Sequence, residues 1–245
     1  MTRPGYRPYD PQLVPITQAE NVWTVEGPEV GYQLAGVTIP CPTRMTVARL
    51  SDDTLWLHSP IAQTPGLDGA LAQLGPISGL IAPNSYHYLQ LAAWAVARPD
   101  ASVWASADIA QKLGITRSIP IANDIQAGWR EDLDHHSIAL AKFSETVFFH
   151  RKSATLIVTD LMQTFEASRV RSLPIRLLLA AGGATGPNAK PSIEIRMAAR
   201  SHRDALRAGV QKMIAWNPDH IILSHGPCIH HDAAGAIRQA FDWIS

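Results

Sequence analysis

Residues Glu145 to Met162 read ETVFFHRKSATLIVTDLM, and this stretch decides the fold. Two runs of β-branched and aromatic residues, Glu145 to His150 and Thr155 to Thr159, flank the turn-like Arg151-Lys152-Ser153. Such runs bounded by a short polar turn predict a β-hairpin. The second run stops on Asp160, a charged residue placed where an apolar strand leaves the core. A further run, His136 to Leu140, makes the middle of the chain β-rich.

Toward the C-terminus, RLLLAA (Arg176 to Ala181) predicts an apolar helix that is either a dimer contact or a lid. GGATGPNAKPS (182–192) is read as a flexible loop, followed by one long helix from Glu194 to Trp216. Leu206, Val210, Met213 and Ile214 recur at helical spacing in it. Ile221 to Leu223 forms the next strand, and Asp232 is placed to cap a last helix, Ala233 to Ile244. Toward the N-terminus, Met45 to Leu50 and Thr54 to His58 form a hairpin across Ser51-Asp52-Asp53, preceded by the strand Val22 to Val25. Gly79 to Ala82 and Val103-Trp104 read as strands. Helices are expected at Leu67–Leu74, Tyr88–Ala97 and Asp108–Leu113, stopped by Gly75-Pro76, Pro99 and Gly114.

Strands then helices, twice over, predict an α/β four-layer αββα sandwich. A doubly wound sheet fits less well, because hairpins dominate residues 40–60 and 136–160. Residues 1–14, rich in Pro, Tyr and Arg, read as an irregular arm, and 15–245 as one domain.

The 245 residues are 46% apolar and carry 21 basic and 21 acidic side chains. That balance gives no field for nucleic acid or an anionic membrane. The N-terminus has no apolar signal segment, and no run approaches the roughly 20 residues of a membrane span, so a cytoplasmic protein is expected. Cys41 and Cys228 lie far apart and read as reduced thiols. The sequence lacks a phosphate-binding G-K-[ST], a dinucleotide G-x-G-x-x-G and a nucleophile-elbow G-x-S-x-G. Ten histidines make metal or proton chemistry worth testing. His135-His136, His202 and His230-His231 read as surface residues.

Three segments end a strand on a polar residue able to bind a ligand: LIAPNSYHYL (Leu80 to Leu89), TLIVTDL (Thr155 to Leu161) and IILSHGPC (Ile221 to Cys228). Residues just past strand C-termini gather at one sheet edge in α/β folds. His87, Asp160 and His225 are then a two-nitrogen, one-oxygen set suited to zinc or iron.

LIVTD after a hairpin and IILSHG near the C-terminus resemble the later metal motifs of the metallo-β-lactamase superfamily. There, an aspartate ending a strand bridges two metals and a late histidine binds the second. PTRMTVARLSDDTLWLHSPI (Pro42 to Ile61), APNSYHYL, ETVFFHRKSATLIVTDLM and ILSHG together resemble a domain-of-unknown-function branch of that superfamily, over roughly residues 15 to 244. The resemblance implies the αββα fold and places LIAPNSYHYL at the H-x-H-x-D-H signature. Asn84, Tyr86, Tyr88 and Leu89 stand where that signature has its ligands, and none is a good metal ligand. No histidine stands near Ala141 to Ser144, where the superfamily has another. Asp160 and His225 remain at matching positions, so a binuclear centre is not expected.

The sequence therefore predicts one zinc or iron ion on Asp160 and His225, with His87 as third ligand or general base, in a hydrolase of a small ester, lactone or amide. The alternative is no metal: a fold relative that binds a small molecule in the former cleft, works by acid–base chemistry through His87, Asp160 and His225, or is a non-catalytic scaffold. In each case but the last, Asn84, Tyr86, Tyr88, Arg44 and His58 are expected to contact the small molecule. A second copy of the chain is a candidate partner.

Overall fold

A computed structural model describes residues 5–34, 36–123, 128–141 and 143–244. Seven strands form the first sheet in chain order: β1 (Pro15–Ala19), β2 (Val22–Leu34), β3 (Val37–Arg49), β4 (Leu55–His58), β5 (Ile77–Ile81), β6 (Ser102–Trp104) and β7 (Ser118–Ile119). Pairing is antiparallel from β1 to β4 and parallel from β4 to β7. The second sheet holds β8 (Leu133–Ala139), β9 (Ser144–His150), β10 (Thr155–Val158) and β11 (His220–Leu223), in the order β11-β10-β9-β8. The hairpin expected around Arg151-Lys152-Ser153 is β9–β10, and β10 pairs parallel with β11.

Side-chain alternation along the strands builds the layers. Leu55 and Leu57 of β4 face helices α1 (Pro65–Leu74), α2 (Leu91–Ala97) and α3 (Ala107–Leu113), while Trp56 faces the seam between the sheets. In the second sheet Leu156 and Val158 turn to one side and Ile157 to the other. The outer side is covered by α5 (Ile193–Ala198), α6 (Arg203–Ala215) and α7 (Ala233–Ala240). Trp56, Trp104, Trp129, Phe148 and Ile157 fill the seam. The result is the four-layer αββα sandwich. Asp232 caps α7 by accepting from Gly235 N at 3.1 Å.

Several boundaries differ from the sequence reading: β3 starts at Val37 and not Met45, β8 spans Leu133–Ala139 and not His136 to Leu140, and α7 ends at Ala240 and not Ile244. Three further differences have a clear local cause. The helix expected from Glu194 to Trp216 is two, α5 and α6, separated by a turn in which His202 N bonds Ala199 O at 2.9 Å. The helix expected from Tyr88 begins at Leu91, because Asn84 Oδ1 accepts the Tyr86 and His87 N–H groups, each at 2.9 Å, and holds that stretch in a turn. The strand expected at Val22 to Val25 runs on to Leu34. A register shift between Gly27 and Val30 absorbs Pro28, whose missing N–H a bulge tolerates. Of the expected arm, residues 5–14 are irregular but packed, with Tyr6 fully buried against Phe165. Helix α4 (Leu173–Ala181), the expected apolar helix, contributes Leu179 to the same cluster. Among the described residues, no helix is long and apolar enough to cross a membrane.

Candidate metal centre

Four strand ends converge. In the parallel pair β10–β11, Val158 is opposite Leu223, so Asp160 and His225 each lie two residues past paired positions. In the parallel pair β4–β5, Ser59 follows β4, and Asn84 to His87 follow β5. The sheets are joined at this edge by a bridge between Asn84 and Glu145 and by Thr146 N donating to Pro83 O at 2.9 Å.

His87 Nε2 lies 3.3 Å from Asp160 Oδ2, and His225 Nε2 lies 3.6 Å from Asp160 Oδ1. The potential ligand atoms of the three residues all fall within 4.8 Å of one another. Their side chains are nearly buried, 9%, 11% and 10% exposed for His87, Asp160 and His225. Two ligands held tetrahedrally at about 2.0–2.1 Å from one zinc ion are themselves about 3.3 Å apart. The donor set and the two spacings to Asp160 therefore match those around a single ion.

Supporting contacts orient each group. His87 Nδ1 shares a hydrogen bond with Ser59 Oγ at 2.7 Å, the kind of outer partner that fixes a ligating imidazole. Ser59 is held in the left-handed region at φ 54°, an unusual conformation for serine. Asn84 Nδ2 donates to Asp160 Oδ2 at 2.7 Å and to Thr159 Oγ1 at 2.8 Å. The carboxylate of Glu145, fully buried, accepts the N–H groups of Thr159, Asp160 and Leu161 at 2.8, 2.8 and 3.1 Å. It thereby fixes the turn that carries Asp160. Phe165 stacks on the His225 ring at 5.4 Å and 15°. His225 O accepts Thr164 N at 3.0 Å. Gly226 follows at φ +118°, where a Cβ would lie 2.5 Å from Thr164 O, so the turn needs glycine.

Burial alone would raise Asp160, but His87 and His225 hold its carboxyl well below the usual range. Burial would lower His87, yet the Asp160 charge outweighs it and the imidazole is raised. His225 is lowered, chiefly by burial. Burial, with the Asp160 charge adding to it, pushes Glu145 up to about 7.

The residues expected to contact a small molecule divide. Tyr86 and Tyr88 line the cavity at the site, as do His87, Asp160 and His225. Asn84, Arg44 and His58 lie behind its wall. Asn84 is turned back toward Asp160 and Glu145. His58 shares the strand face of Trp56, so it points into the seam, fully buried and stacked on that indole at 5.4 Å. Arg44 is spent on a buried ion pair with Glu26 at 2.6 Å and on the carbonyls of Leu223 and Gly226. Ser59, Glu145 and Phe165 complete the site without having been anticipated. The faint sequence signals for the first two are a serine just past a strand and a lone acid opening an apolar one.

The family model described as Domain of unknown function (DUF4336) matches residues 19–180. No curated protein matches the chain. Among solved structures, the metallo-β-lactamase FIM-1 from Pseudomonas aeruginosa in its mono-zinc form is similar at a TM-score of 0.60 and 13% identity, with 97% of this chain and 98% of that chain covered. A metallo-β-lactamase from Pontibacter korlensis gives a TM-score of 0.54 at 11% identity, covering 93% and 98%. The metal-soaked Flv1 flavodiiron core from Synechocystis sp. PCC6803 gives 0.60 at 14% identity, covering 98% of this chain and 62% of that longer one. At such identities the likeness concerns the fold. The chain belongs to the domain-of-unknown-function family DUF4336 and has the metallo-β-lactamase fold.

Proposed function

We propose that the protein is a hydrolase of a small ester, lactone or amide, with one zinc or iron ion held by His87, Asp160 and His225. The observation that carries this reading is the convergence of those three ligand atoms within 4.8 Å at the end of an open cavity. A relative in fold, FIM-1, is described in a mono-zinc form. A bound ion would polarise the acyl oxygen and lower the pKa of its water toward about 7. The chain's own residues do the rest. Ser59 fixes the His87 ring, Asn84 and Glu145 fix Asp160, and Phe165 shields one face of His225.

One contact favours a second, metal-free reading. Ser59 Oγ, His87 and Asp160 form a chain of 2.7 and 3.3 Å, with a strained serine at the cavity wall. In it, Ser59 Oγ attacks the acyl carbon and its proton passes to His87 Nδ1. His87 returns the proton to the leaving oxygen or nitrogen, and water releases the acyl group from Ser59.

The test is hydrolysis of a panel of esters, lactones and amides by the metal-loaded chain. Asp160→Ala and His225→Ala should each cost at least about a hundredfold in kcat/KM. Ser59→Ala should cost about ten- to a hundredfold if the serine only orients His87. Complete loss in Ser59→Ala, with an acyl adduct on Ser59 in the parent, would replace the metal reading by the serine one. Unchanged rates in Asp160→Ala and His225→Ala would sink both.

A further inference from the structure

The chemical groups occupy one end of a cavity of about 620 Å³, large enough to enclose a molecule of drug size. Beyond that end the walls change character. In the β2–β3 hairpin, Val30 pairs with Cys41 and Tyr32 with Ile39, and all four line the cavity. Strand alternation puts them on one face, so the hairpin presents a continuous apolar strip. Helix α4 adds Leu178 and α5 adds Ile193, which are 39% and 54% exposed. The strip thus continues outward to solvent, and this wall of the cavity runs apolar toward Phe165, beside His225.

Charges are few along this strip. Lys112 is the single lysine or arginine among the described lining residues, and its ammonium is engaged by Tyr88 Oη. Glu194, the other lining charge besides Asp160, accepts from Tyr32 Oη at 3.2 Å and from Tyr86 Oη at 3.0 Å. A carboxylate or phosphate lying along the hairpin strip, away from Lys112 and from the reacting end, would be desolvated without a cation to receive it.

We infer that the substrate is an uncharged acyl compound, an ester or lactone with a long aliphatic chain. Its carbonyl meets His87, Asp160 and His225, and its chain lies along the hairpin strip toward α4 and α5. This rests on the reading of those three residues as the reacting end. It adds the chemistry of the remainder of the substrate.

Binding can be read without turnover. The full-length chain is loaded with the neutral apolar fluorophore N-phenyl-1-naphthylamine, and methyl ketones from pentanone to undecanone displace it. Ketones cannot be hydrolysed, so absence of hydrolase activity leaves this series interpretable. Affinity should rise about fourfold for each added methylene, the gain expected for burying it. Val30→Trp should fill the chain path and weaken the longest ketones by about tenfold or more while sparing the shortest. Leu178→Asp, at a more exposed position, should do the same if the tryptophan variant does not fold. A series flat in chain length, or a long-chain preference unchanged in the folded variants, would overturn the inference and leave the hydrolase proposal standing.

Discussion

His58 and Glu145 show how single polar residues behave when the fold, not water, surrounds them. Neither His58 nitrogen has a hydrogen-bond partner, and burial, with His87 adding to it, pushes the imidazole from 6.5 down to about 3. The folded protein therefore holds His58 neutral at pH values where the unfolded chain protonates it. Its contribution to stability is fully present above pH 6.5 and is lost as pH falls through the window to about 3. His58→Phe keeps a flat ring against Trp56 and removes that proton. Urea unfolding of the variant should show a shallower fall in midpoint between pH 7 and pH 4.5 than the parent; identical pH profiles would contradict the assignment. Glu145 is a buried acid whose burial three backbone donors offset only in part. Its role was not legible, because an acid at the start of a strand ordinarily faces water. The bridge between Asn84 and Glu145 draws it between the sheets. Ser59 was missed for a related reason: the sequence shows a serine before a proline, but not that the backbone turns left-handed and aims it at His87.

At the scale of elements, the site depends on strand ends from both sheets being held together. Arg44 of β3 is the staple. It pairs across the β2–β3 ladder with Glu26 and reaches the carbonyls that flank His225 at the end of β11. Removing the guanidinium leaves the Glu26 carboxylate buried and unpaired, so Arg44→Met should cost about 3–5 kcal/mol. The double variant Glu26→Leu/Arg44→Met should recover much of that loss, because both charges are then gone. Equilibrium unfolding in urea measures both, and a single variant within about 1 kcal/mol of the parent would contradict the staple. Elements were legible where alternation and turn residues agree. The β9–β10 hairpin, the β11 strand and the Asp232 cap of α7 fall as expected. They were misread where a local stop is overridden. The strand expected to stop at Val25 runs on through a bulge at Gly27-Pro28, and the apolar spacing from Glu194 onward hides a turn between α5 and α6.

On the scale of the whole molecule, the αββα layering followed from hairpins followed by helices, twice repeated, and the packing agrees. Strands β3 to β6 and β8 to β10 send residues both to the helices and to the tryptophan-rich seam. The layering brings Asp160 and His225 together and lets the turn after β5 deliver His87 to them. The sequence named those three residues from their positions past strand ends. It could not supply the cavity, whose walls come from an extended hairpin and from α4 and α5, far apart along the chain. The central claim is that the three residues bind one ion. Chain purified without a histidine tag, stripped with chelator and exposed in turn to zinc and to ferrous iron, is measured for metal by mass spectrometry. One equivalent of zinc or of iron per folded chain is predicted, falling to background in folded Asp160→Ala and His225→Ala variants. A folded parent that retains neither metal, or variants that retain it as fully as the parent, would contradict the account.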